Sequence, residues 1–130
     1  SPWAPGDSLV EATHLGPAEV EEVVAALDDV VEAAAVGVPD DLKGEQLVVF
    51  VVVAPGTPVD NLGAQVTAAV QDALGKAFGP RAVHVVAALP KTRSSKVMRR
   101  LIREVYLDRP LGDLTALEDP TALDHIRATR

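Results

Sequence analysis

Cysteine is absent from the chain, which excludes disulfides and thiolate metal sites and fits a reducing compartment. Cytoplasm is the expected location. Aromatic residues make up only 3%, so a core drawn from the 48% of hydrophobic residues must be built from Val, Ala and Leu. No apolar run approaches the roughly 18 residues that span a bilayer, and Ser1-Pro2-Trp3-Ala4-Pro5-Gly6-Asp7 has neither the basic region nor the apolar stretch of an export signal. A membrane is therefore not an expected partner. An initiator Met is missing as well, so the chain is expected to be a piece of something longer. The net charge of −7 argues against nucleic acid, whose binding draws affinity from many unopposed phosphate contacts. At 130 residues the chain fits one domain able to bury a core without staples.

Familiar catalytic signatures are missing too. There is no P-loop pattern, no HExxH and no GxSxG, and His14, His84 and His125 are scattered singly, so no metal site is expected. His84 alternates with Val83 and Val85 in a strand-like run and reads as a structural histidine. Ser94 and Ser95 have no local base, which favours turn and capping roles over nucleophilic catalysis.

One absence is local. Between positions 91 and 103 there is no acid, while six of the twelve Lys and Arg residues fall there: Lys91, Arg93, Lys96, Arg99, Arg100 and Arg103. A Lys at a helix N-terminus adds a full charge to the dipole and to unpaired backbone N–H groups, so the segment could hold a phosphate or carboxylate, with Lys96 best placed. The charge pattern is equally compatible with a solvated basic face.

Gly16-Pro17 reads as a helix start, with Val20, Val23, Val24 and Leu27 at helical spacing and Glu19, Glu21 and Glu22 where the dipole favours negative charge. Val30 to Val38 and the uninterrupted apolar run Leu47 to Val53 read as strands, the second buried on both faces, joined as a hairpin through Asp41-Leu42-Lys43-Gly44. Leu62, Val66, Ala69, Val70, Ala73, Leu74 and Ala77 mark a second helix. A strand from Arg81 to Ala87 follows, then a helix from Val97 to Leu107 with Met98, Leu101, Ile102 and Val105 on one face. A short strand at Ser8 to Ala12 and a last helix from Pro120, capped by Asp119, complete the pattern. The fold class expected is α+β, a mostly three-stranded sheet covered by helices, with a hinge or linker remnant at 1–7, a core at 8–107 and a tail at 108–130.

Leu89-Pro90-Lys91-Thr92-Arg93-Ser94-Ser95-Lys96-Val97-Met98-Arg99-Arg100 closely resembles the LPKTRSGKIMRR signature of AMP-forming, acetyl-CoA synthetase-like enzymes. Leu15 to Glu21 is similar to the family's LGxAEVE, Ala33 to Gly44 to its EAAVVGxPDxxKG, and Leu111 to Pro120 to its GDxSxLxxP tail. The resemblance covers nearly the whole chain, but only the family's small C-terminal domain. It implies a mobile domain that serves a large N-terminal adenylation domain, first in joining a carboxylic acid to ATP and then in passing the acyl group to CoA. ATP with Mg2+ and CoA are the implied cofactors of the full-length enzyme, none held tightly by this domain alone, which is expected to be inactive.

By the same resemblance Lys96 is the adenylation lysine and a reversible acetylation site, with an acetyltransferase and a deacylase as partners. Arg93 is a candidate for nucleotide binding, and by their charge and proximity Arg93, Arg99 and Arg100 are expected to help an acetyltransferase recognise the loop. The alternative is a non-catalytic regulatory module that presents Lys96 to the acetyltransferase. Three departures stand out. Ser95 replaces the motif's Gly, which burdens any positive-φ backbone there. Glu11-Ala12-Thr13-His14-Leu15-Gly16 replaces SGHRLG, removing a Gly and an Arg from the thioester face. Asp7 is only a loose match to the family's hinge.

Overall fold

A computed structural model describes residues 16–42 and 44–130. The strand expected at 8–12, the hinge candidate Asp7, the 11–15 segment and Lys43 lie outside the described residues. Helix α1 spans Pro17–Ala25 and starts as its sequence indicates, with Pro at the first turn and Glu19 Oε1 accepting the Gly16 N–H at 2.8 Å. Strands β1 (Val30–Asp40) and β2 (Gly44–Val53) form an antiparallel pair in which Val36 faces Val48. Their connection closes with Asp40 Oδ2 accepting the Leu42 N–H, and Gly44 adopts a φ of 79°, which glycine tolerates without a Cβ penalty. Helix α2 (Leu62–Leu74) and a 3₁₀ turn (Lys76–Phe78) lead to β3 (Ala82–Val85), which pairs with β2 in parallel.

The order β1-β2-β3 puts β2 in the centre, and its alternating side chains feed two apolar layers. Val49 and Val51 meet Val20 and Val24 of α1 and Val66 and Val70 of α2. Val48 and Phe50 face the other way, toward Leu101, Ile102 and Val105 of α3 (Arg99–Tyr106) and Leu123 and Ile126 of α4 (Ala122–Arg127). This is a three-layer α+β domain, with helices on both faces of a mixed sheet. The tail, 108–130, contributes Leu117, Leu123 and Ile126 to the second layer.

Two helices begin later than the apolar spacing suggests. Val97 is bridged antiparallel to Lys91 and the Met98 N–H donates to the Pro90 carbonyl at 2.8 Å, so 97–98 stay extended and α3 begins at Arg99. At α4, Asp119 organises the entry turn instead of capping the helix itself. Its Oδ1 accepts the Thr121 N–H at 3.0 Å and the Thr121 hydroxyl at 2.7 Å.

Candidate functional site

The basic segment emerges from the core at Leu89 and Pro90, both buried, and its base is held on two sides. Lys91 bridges Val97, while Thr92 bridges the buried Leu117 of the C-terminal segment and the Glu118 N–H donates to the Lys91 carbonyl at 2.9 Å. Above that base the chain reverses tightly. The Ser95 N–H donates to the Thr92 carbonyl and the Thr92 N–H to the Lys96 carbonyl, each at 2.9 Å. The Thr92 hydroxyl accepts the Lys96 N–H at 3.2 Å and lies 3.0 Å from Ser94 Oγ. Closing this turn needs a left-handed residue, and that residue is Ser95, with φ 69°.

Partners divide the six cations into two groups. Lys91 forms an ion pair with Glu32, and Arg99 grips Glu21 with two nitrogens, Nε lying 2.6 Å from Oε2. The hydrogen bonding that Arg99 donates to the Glu21 carboxylate raises the Arg99 pKa above its ordinary value. Arg100 binds Glu104 at 2.7 Å and the carbonyl of Leu111 at 3.1 Å, and Arg103 Nε donates to the Gly37 carbonyl at 2.6 Å. Arg93 and Lys96 are different: both are exposed at the tip, and neither side chain has a hydrogen bond or ion pair among the described residues. Of the residues singled out for chemistry, these two are brought together with unspent charge, whereas Arg99 and Arg100 are engaged within the domain. The contributions of Glu21, Glu32 and Thr92 are not visible in the charge pattern, since the acids are remote in sequence and Thr92 acts through its hydroxyl.

Such a tip can bind an anion presented from outside. Its ammonium and guanidinium groups can offset charge developing on phosphate or carboxylate oxygens. His84 is engaged in the packing of the domain. His84 is half-buried, with Nε2 3.1 Å from Tyr106 Oη and its ring 5.4 Å from Phe50. Its pKa is lowered by burial and, secondarily, by the charge of Arg81. Among the described residues no group of three or more His, Asp or Glu side chains is placed to hold a metal ion, and no helix is long and apolar enough to cross a membrane.

Comparison with known proteins finds relatives of the domain in both sequence and fold. The family model described as the AMP-binding enzyme C-terminal domain matches residues 19–96. The chain is 40% identical to the 3-hydroxypropionyl-coenzyme A synthetase of Metallosphaera sedula over 91% of its own length and 18% of the relative's. It is 43% identical to the acetyl-coenzyme A synthetase of Methanothrix soehngenii over 92% of its length and again 18% of the relative's. Among solved structures, the acyl-CoA synthetase of Brucella canis superposes with a TM-score of 0.67 at 37% identity, covering 72% of this chain and 17% of that one. ATP-bound MatB from Rhodopseudomonas palustris superposes with a TM-score of 0.64 at 35% identity, covering 71% of this chain and 18% of that one. The chain thus spans less than a fifth of the length of the curated relatives it matches. With 78 of its 130 residues inside the matching model, this chain belongs to the AMP-binding enzyme C-terminal domain family.

Proposed function

We propose that the chain is the mobile C-terminal domain of an AMP-forming acyl-CoA synthetase, acetyl-CoA synthetase-like, in which Lys96 serves the adenylation step. One observation carries this reading: of six clustered cations, only Lys96 and Arg93 have exposed side chains without a partner among the described residues. In the first half-reaction a carboxylate oxygen attacks the α-phosphorus of ATP, forming acyl-AMP and releasing pyrophosphate. In the second, the CoA thiol attacks the acyl carbon and AMP leaves. The Lys96 ammonium binds the incoming carboxylate and the nucleotide's oxygens, aligning the attack and offsetting charge in the transition state. Arg93, three residues away on the same tip, assists with the phosphates. Mg2+ accompanies ATP as part of the substrate. A second face of the domain serves thioester formation after the domain rotates, and the adenylation domain supplies the acyl pocket.

Acetylation of Lys96 would remove the charge on which adenylation depends, giving a protein acetyltransferase and a deacylase control of the same residue. Arg93 offers such an enzyme a free guanidinium, while Arg99 and Arg100 offer the edges left by their internal partners. Location in the cytoplasm, where acetyl-CoA and these regulators meet, fits the absence of cysteine. The exposure of Lys96 also suits a regulatory module that presents it without catalysis. An adenylate-forming region of roughly 400–500 residues in the same reading frame favours the enzyme, since that length implies further domains. In the complete enzyme, Lys96→Ala is expected to slow acyl-adenylate formation by about 100-fold or more while thioester formation from supplied acyl-AMP stays near its original rate. Equal losses in both half-reactions would refute the assignment.

A further inference from the structure

Among the described residues β1 is an edge strand, and no further strand pairs with its outer side. The basic segment is laced along that edge. Lys91 reaches Glu32 on β1, and Arg103 donates to the Gly37 carbonyl. Between them Glu21, 12% exposed, accepts the Ala35 N–H through Oε2 at 2.8 Å while both of its oxygens hold the Arg99 fork. Helix α1, which carries Glu21, packs on one face of the sheet, and α3, which carries Arg99 and Arg103, packs on the other. Glu21 therefore ties the two helical layers together over the rim of β1 by holding Arg99, which lies three residues beyond Lys96 along the chain.

We propose that Glu21 is a positioning residue: by clamping Arg99 to the edge of β1 it fixes the start of α3, and with it the angle at which the Thr92–Lys96 turn presents the Lys96 ammonium. The turn's C-terminal limb runs directly into α3, since the Met98 carbonyl accepts the first helical N–H groups of Leu101 and Ile102. Freeing Arg99 would loosen that limb while the bridges at Lys91 and Thr92 still hold the other. This inference rests on the adenylation reading of Lys96.

The test uses the complete enzyme carrying Glu21→Gln, which keeps an acceptor for the Ala35 amide but loses the charge and half of the fork. Arg99→Gln serves as a second variant that leaves Glu21 itself intact. Both are expected to lower kcat for acyl-adenylate formation by roughly tenfold to a hundredfold, with KM for ATP within about twofold and thioester formation unchanged. Amide exchange at Thr92, Ser95 and Lys96 should accelerate in both, while Val48 to Val51 keep their protection. In a Lys96→Ala background neither change should slow adenylation further, because there is no ammonium left to misplace. Unchanged kcat, equal loss in both half-reactions, or a full further loss in the Lys96→Ala background would each overturn the positioning role. Wild-type adenylation by Lys96→Ala alone would instead overturn the reading beneath it.

Discussion

Ser95 carries the local strain of the site. Its φ of 69° is comfortable for glycine and costs an L-residue about 1–2 kcal/mol, partly offset by the backbone entropy that glycine loses on folding. Ser95→Gly is therefore expected to leave stability unchanged or raise it by up to about 1 kcal/mol, whereas Ser95→Val, with a branched Cβ, should lower it by about 1–2 kcal/mol. Urea midpoints of the 130-residue chain would measure both. His84 makes a second prediction at this scale. Because burial and Arg81 lower its folded pKa beneath the ordinary 6.5, the unfolded chain takes up the proton first as the pH falls. His84's contribution to stability is complete above about 6.5 and is lost as the pH drops from there through the lowered folded value. Urea midpoints at about pH 8 and pH 5.5 should converge when His84 is replaced by Gln. The Ser-for-Gly departure at 95 is legible in the sequence, as is the prominence of Lys96. The sorting of cations into engaged and free is not: Lys91, Arg103 and Arg99 find partners 59, 66 and 78 residues away.

The elements follow from periodicity where one face of each meets the sheet. Val20 and Val24 place α1, Val66 and Val70 place α2, and the apolar run of β2 reports a strand covered on both sides. Boundaries are harder to read where backbone pairing competes with helix propensity. Val97 and Met98 suit the apolar stripe of α3, yet their backbone groups serve the turn beneath Lys96, so the helix starts two residues later. That late start leaves the loop short and tethered at both ends. Packing of α3 is the main anchor. Ile102 is fully buried against the β2 face, and Ile102→Ala should cost about 2–5 kcal/mol in unfolding free energy, checked by urea denaturation. Arg100→Ala, which removes an exposed pair with Glu104, should cost no more than about 1 kcal/mol in the same assay.

On the scale of the whole molecule, a core in two layers around β2 carries a cationic tip whose Arg93 and Lys96 are exposed. Acidic charge covers much of the remaining chain, so the tip stands out electrostatically as the surface able to receive an anion. The family resemblance was legible in the run from Leu89 to Arg100, which differs from the LPKTRSGKIMRR signature only at Ser95 and Val97. The clasp over β1 was not, because it joins three elements that are distant in sequence. The most direct measurement is the rate of acyl-adenylate formation by the complete enzyme with alanine at each of the six cations in turn. Lys96→Ala should show the largest loss, about 100-fold or more, with Arg99→Ala intermediate and Arg100→Ala close to the parent. A rate for Lys96→Ala near that of the parent, or a larger loss on replacing Lys91 or Arg99, would contradict the assignment of Lys96.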